Sequence, residues 1–311
     1  MKIDLRVQLM KEIINKAKKL KCYVLDADCS RSTKTNLLKN KPNITFINVG
    51  IAEQNMIGLA CGLSLNGEKV IVNAFCNMVC LRAFDFIYQL CSRQNLDITI
   101  IGHYAGLTSE YEGSSHHGLI PLGLMYMCNF KTFIPYNKQS AKKCIDAVFE
   151  IDGPKYIHLA KFYDYVDDYR FIHRLYFDIY TKSENKDVLI ITSGNCIKDA
   201  LSASEILKQY YDIDVDVLII TIIDKDLCKY IEEFDTSIYN QVLIVEDNYY
   251  LASIYNIIFK SINCPLINSL SINDFTESGN ISELKKTYEI SVNSIIENII
   301  NVRGQYIELL G

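Results

Sequence analysis

At 311 residues the chain is long enough for two domains of ordinary size, and 49% hydrophobic with 22% charged residues makes it globular rather than disordered. A net charge of −5 without a long basic run excludes nucleic acid and anionic membrane surfaces as partners. No apolar stretch reaches the roughly 18 residues of a membrane span, and Met1-Lys-Ile-Asp-Leu-Arg6 lacks the apolar core of a secretory leader, so a cytoplasmic protein is expected.

In chain order, a helix over Gln8–Leu20 precedes a strand over Cys22–Leu25. The loop that follows, through Asp28, Ser30, Ser32 and Thr33, carries side chains that hydrogen-bond polar ligands or cap a turn. A strand over Ile44–Val49 leads through Gly50 into a helix over Ala52–Leu65. Glu53 falls in its first turn, where the helix dipole favours a carboxylate, and where a strand hands over to a helix open α/β sheets place ligands. Gly58 and Gly62 lie four apart, so they share a helix face and admit a close neighbour. A strand over Lys69–Phe75 precedes a helix over Arg82–Cys91, and a strand over Asp97–Gly102 opens the loop Gly102–Gly118. That loop holds His103, His116 and His117, three of the five histidines, beside Glu110 and Glu112. Adjacent histidines in a Gly/Ser loop are seldom pure packing. No further ligand stands at metal-site spacing, so no metal site is expected on this chain. Helices over Gly118–Tyr126 and Ser140–Phe149 and a strand over Lys155–Leu159 follow.

The span from 163 to 186 breaks the pattern with Tyr163-Asp-Tyr-Val-Asp-Asp-Tyr169 and Thr181-Lys-Ser-Glu-Asn-Lys186, and is expected to connect two domains, with room for an edge strand. A second α/β pattern follows, with strands over Asp187–Thr192, Val215–Ile220 and Gln241–Val245 and helices over Ile197–Tyr210, Tyr249–Ser261 and Val292–Val302. The βα alternation in both halves predicts parallel sheets covered on both faces. The 11 cysteines form no CxxC pair; Cys76 and Cys80 come nearest, four apart among apolar neighbours, so reduced buried thiols are expected.

Several segments together resemble the pyrimidine-binding half of transketolase, an enzyme that uses thiamine diphosphate. The match is densest at Gly50, Ile51, Ala52, Glu53, Gln54 and Asn55, and it implies that Glu53 is the catalytic glutamate that protonates the cofactor's aminopyrimidine ring. Leu25–Lys34 resembles the family's D-A-D-L-x-x-S, which places Asp28 near the cofactor and Ser32 on the sugar phosphate, with Arg31 and Lys34 adding positive charge. Asn73–Phe84 resembles the segment S-T-F followed by an R-A helix. Phe75, Met78 and Leu81 then fall where aromatic side chains surround the aminopyrimidine; methionine can lie against a ring, and plain core packing is the other reading of Leu81.

The loop from Gly102 resembles S-H-A-G-L-x-x-G-E-D-G-x-T-H-Q. Aligned without gaps, His116 takes the place of the second histidine, which binds substrate and transfers a proton, and Glu112 replaces an aspartate on the sugar hydroxyls. Tyr104 stands at the first histidine's position with His103 one residue away, Glu110 replaces a glycine and Tyr111 the usual glutamate. These departures touch the sugar channel and imply a substrate other than the common pentose and heptulose phosphates. Asp152–Lys161 resembles D-G-P-x-Y-I-R-L-x-R, so Lys161 replaces an arginine that grips the substrate phosphate, as a point charge without the bidentate fork; a solvated surface lysine is the other reading.

The fold implied is two doubly wound α/β domains: a transketolase-like pyrimidine-binding domain over 1–165, a connection over 166–186, and a transketolase C-terminal domain over 187–311. In the latter, Val245-Glu-Asp-Asn-Tyr-Tyr250 resembles the V-E-E-H segment and carries no catalytic residue. Family members grip the diphosphate in a further domain, through a divalent metal held by a Gly-Asp-Gly and a later Asn. This sequence has no Gly-Asp-Gly. The resemblance therefore implies the C-terminal subunit of a split transketolase. An N-terminal partner subunit would bring the diphosphate-binding domain with Mg²⁺ or Ca²⁺, and the active site would form between chains in an α2β2 assembly. A two-carbon ketol unit would pass from a ketose phosphate to an aldose. Two alternatives stand beside this: another thiamine-diphosphate enzyme acting on an unusual sugar, or a non-catalytic regulatory or scaffolding subunit, toward which Met78, Tyr104, Tyr111 and Lys161 point.

Overall fold

In the computed structural model, which describes residues 2–161, 163–164, 171–181 and 185–310, the apolar runs become two sheets and the segments between them become covering helices. The first half runs β1 (Lys2–Ile3), α1 (Leu5–Ala17), β2 (Cys22–Asp26), α2 (Ser30–Thr33), β3 (Ile44–Asn48), α3 (Glu53–Leu65), β4 (Val70–Phe75), α4 (Cys76–Arg82), α5 (Phe84–Phe86), β5 (Ile98–His103), α6 (Pro121–Met127), β6 (Lys131–Phe133), α7 (Lys138–Glu150), β7 (Lys155–Leu159) and β8 (Tyr163–Asp164). The second half runs β9 (Ile172–His173), β10 (Phe177–Tyr180), β11 (Val188–Thr192), α8 (Ile197–Tyr211), β12 (Val215–Ile220), β13 (Ile222–Ile223), α9 (Leu227–Glu233), β14 (Gln241–Tyr249), α10 (Ile254–Ile258), β15 (Ile267–Ile272), α11 (Ile281–Thr287) and α12 (Val292–Leu310).

Strands β6, β7, β5, β4, β2 and β3 lie side by side in parallel. β4, β5 and β7 are covered on both faces, which is why they read as apolar runs without alternation. The second sheet orders β15, β14, β11 and β12 in parallel, then adds β10 and β9 antiparallel. β13 leaves the second half to pair antiparallel with β6, so the two halves share the edge of the first sheet.

The structure departs from expectation at four places. The helix expected over Arg82–Cys91 begins earlier, at Cys76, and residues Ile87–Ser92 form a π-helical turn instead of continuing α-helix. β14 extends to Tyr249, so the helix expected from Tyr249 shortens to α10. Within the expected connection over 166–186, β9 and β10 belong to the second sheet, while residues 165–170 and 182–184 lie outside the described residues. β6, β15, α9 and α11 were not foreseen.

Candidate functional site

The parallel strands β2, β4 and β5 end together, and their last polar side chains form a buried floor. Asp26 Oδ2 accepts from Asn73 Nδ2 at 2.7 Å and from Thr35 Oγ1 at 2.7 Å. A carboxylate can only accept, so it fixes the Asn73 amide with its oxygen toward His103, 2.5 Å from Nε2. His103 must then carry its proton on Nε2. Its ring has no exposed surface, its Nδ1 finds no partner, and burial, with Arg6's charge second, pushes its pKa down to about 3. His103, expected on the sugar channel, is fully buried at the strand ends as a neutral base.

Glu53 is the first residue of α3, and its carboxylate is buried at the start of the helix. Arg82, at the end of α4, donates from Nη1 to Glu53 Oε1 at 2.9 Å, and Gln54 Nε2 donates to the Arg82 carbonyl at 3.0 Å. These bonds draw the start of α3 against the end of α4. The α4 segment brings Phe75, Met78 and Leu81 at i, i+3 spacing, so they neighbour one another. None is fully buried, and Leu81 is 47% exposed. An open apolar face beside a buried carboxylate fits an aromatic heterocycle with a protonatable nitrogen. Asp28, in a left-handed conformation after β2, is exposed and accepts from Asn48 Nδ2 at 2.8 Å, where β3 turns toward Gly50 and α3.

The loop after β5 lies over this floor. The Tyr104 ring is 5.0 Å from Phe75, edge to face, and the half-buried His116 ring is 6.0 Å from Phe75 on a similar edge contact. Asn77 Nδ2 donates to the Ser115 carbonyl at 3.0 Å, which ties α4 to the residue before His116. Burial raises the pKa of Tyr104 against the opposing effect of Arg6. Arg6 donates to the Tyr104 hydroxyl at 3.1 Å and to the Ser32 carbonyl at 2.7 Å, and Lys161 lies 5.5 Å from the Tyr104 ring centre. The structure thus gathers Phe75, Tyr104, His116, Ser32 and Lys161; Glu112 is exposed on the same loop. His117, by contrast, is buried and anchors the loop, with Nδ1 2.5 Å from Thr276 Oγ1 and Nε2 on the Glu110 carbonyl at 2.9 Å.

The loop is seated on the second half by Gly106 and Leu107. Gly106 has φ +61 and lies against the Asp247 carboxylate, where a Cβ would collide with it. Asp247 Oδ2 accepts from the Leu107 amide at 3.1 Å. Arg6 is the residue that sequence reasoning passed over. Asp4-x-Arg6 signals only a helix start, since the Asp4 side chain caps α1; nothing in the pattern says that the guanidinium turns inward. Among the described residues no group of three His, Cys, Asp or Glu side chains is placed to hold a metal ion.

Comparison with known proteins finds relatives of this chain. The family model for the transketolase pyrimidine-binding domain matches residues 7–162. A putative transketolase C-terminal section from Methanocaldococcus jannaschii is 30% identical over 289 residues, covering 89% of each chain. The 1-deoxy-D-xylulose-5-phosphate synthase of Dictyoglomus turgidum is 28% identical over 269 residues, 83% of this chain but 42% of that enzyme. This chain thus spans less than half of that full-length relative. Among solved structures, a split-gene transketolase described as an inactive β4 tetramer superposes with a TM-score of 0.77 at 25% identity, covering 96% of this chain and 98% of the other.

Proposed function

This chain belongs to the transketolase family, and on that premise we propose that it is the C-terminal subunit of a two-chain transketolase that transfers a two-carbon ketol unit from a ketose phosphate to an aldose. The observation that carries the reading is the buried Glu53 carboxylate at the start of α3, beside the open face of Phe75, Met78 and Leu81. Thiamine diphosphate, when bound, supplies the electron sink for breaking and forming the carbon–carbon bond. In this reading Glu53 holds a proton at the ring nitrogen of the aminopyrimidine, and Arg82 keeps that carboxylate in place until the cofactor arrives. Phe75, Met78 and Leu81 exclude water from the ring, and Asp28 closes the pocket near the start of α3. His116 moves a proton at the substrate hydroxyl, while Tyr104, Glu112, Ser32 and Lys161 hold the sugar. His103 acts from below by fixing the strand ends that carry Tyr104 and Phe75.

The diphosphate and its Mg²⁺ or Ca²⁺ belong to an N-terminal partner subunit in this reading, with an α2β2 assembly in the cytoplasm. The domain division proposed is a pyrimidine-binding domain over 1–165, a connection over 166–186 and a C-terminal domain over 187–311, the connection lending β9 and β10 to the second sheet. The non-catalytic alternative draws on one observation, that Glu53 is already paired with Arg82. Calorimetry separates the two. Thiamine diphosphate with Mg²⁺ should bind the two-chain complex and bind this chain alone weakly or not at all. Tight binding by the lone chain would overturn the split site, and a complex that binds no cofactor would support the non-catalytic reading.

A further inference from the structure

Glu110 holds a left-handed backbone, φ +55, a conformation that few residues other than Gly, Asn and Asp adopt. Its side chain returns over the loop, and Oε2 lies 3.7 Å from Lys161 Nζ. Lys161 is also set over the Tyr104 ring, as is Arg6, with Cζ 5.4 Å from the ring centre. Arg6 is committed as well. Nε and Nη2 grip the two Asp4 oxygens at 2.8 Å each, and Nη1 serves the Ser32 carbonyl and the Tyr104 hydroxyl. Among the described residues, the two cations over Tyr104 each face a carboxylate, Arg6 that of Asp4 and Lys161 that of Glu110. Arg31 and Lys34 on the neighbouring turn are partly or fully solvent-exposed, where their charge is screened.

A phosphate dianion reaching Lys161 meets a carboxylate already there, and like charges at that range repel. A sugar hydroxyl meets no such opposition. We propose that Glu110 is a specificity-determining residue: it occupies Lys161 in competition with a substrate phosphate and turns this end of the channel toward sugars that end in a hydroxyl. The proposal rests on the reading of the site as a sugar channel. It gives the Glu110 carboxylate a role at a loop position where the resemblance puts a glycine, Gly106 and Gly113 being kept.

The test compares fructose 6-phosphate with fructose on the two-chain complex, for the wild type, Glu110→Gln and Glu110→Gly. The first variant keeps the shape and removes the charge; the second suits the left-handed backbone. Each should raise kcat/KM for the phosphorylated sugar relative to the plain one by about tenfold, mainly through KM and less so at high salt, as expected for one charge-assisted contact regained. Calorimetric titration of the same complexes with both sugars reads the same ratio without turnover. A ratio unchanged in both variants overturns the proposal even if ketol transfer proceeds, as does failure of every variant to bind either sugar. A shifted binding ratio with no turnover upholds the role of Glu110 and removes the ketol-transfer reading instead.

Discussion

The side chain on which the functional reading turns is Glu53, and its surroundings make a sharp expectation. Replacing it with alanine removes a buried carboxylate but leaves Arg82 half exposed and able to hydrate, so the fold should survive with a melting temperature within a few degrees of wild type. Ketol transfer by the complex should fall by about 10²–10⁴-fold, the range for losing a positioned proton-transfer group. Retained turnover would take Glu53 out of the mechanism. The place of Glu53 at a helix start was legible because Gly50–Asn55 is a local pattern: a strand end, a turn and a helix start, all adjacent in sequence. Arg6 was not, because its partners Ser32 and Tyr104 lie 26 and 98 residues away. Nor was the place of His103. A histidine at the end of a strand reads like one in a loop until Asn73 and Asp26, on two other strands, are seen to enclose it.

Among the elements, the end of β14, on which the loop after β5 is seated, holds two buried carboxyls, Glu246 and Asp247. Glu246 is fully buried and caps α10, accepting from the Ile254 amide at 2.9 Å and the Tyr255 amide at 3.2 Å. Burial outweighs those bonds and pushes its pKa from 4.5 to about 7, and burial raises Asp247 too. A carboxyl whose pKa is higher in the folded state binds its proton more tightly there. Its contribution to stability is complete below pH 4.5 and is lost as pH rises from about 4.5 to about 7. Buried His103 and His158, with pKa values lowered to about 3 and about 4, act in the opposite sense, since their contribution is lost as pH falls below 6.5. The comparison that isolates Glu246 is therefore wild type against Glu246→Gln. Thermal unfolding across pH 4.5–7 should show the wild type losing stability relative to the variant as pH rises, and parallel curves would mean that Glu246 does not titrate in this range. The elements were legible where apolar runs are long, as in β4, β5, β11 and β12. They were not at β6, three residues long, or at β15, where Asn268, Ser269 and Ser271 interrupt the apolar pattern. The π-helical turn at Ile87–Ser92 has the same apolar spacing as the helix expected there, so periodicity could not announce it.

For the molecule as a whole, the order of βα units was enough to read two parallel sheets, since most of the strand runs read in each half are followed by a helix-length segment. The join between them was not readable. β13 contributes two residues to the first sheet from the second half, and Thr276 and Asp247 hold the loop of Gly102–Gly118 from below. Such contacts pair short segments far apart in sequence and leave no periodic trace. They also mean that the candidate sugar channel, though built from the first half, is set in position by the second. The sequence has no Gly-Asp-Gly, and in the proposed reading the diphosphate grip belongs to a partner subunit. The measurement that bears most directly on this is ketol transfer by the chain mixed with the chain encoded beside it, with thiamine diphosphate, Mg²⁺ and a panel of ketoses and ketose phosphates. Two-carbon transfer in the mixture, absent from either chain alone, is the result predicted; transfer by this chain alone, or a stable complex silent toward every ketose in the panel, would contradict it.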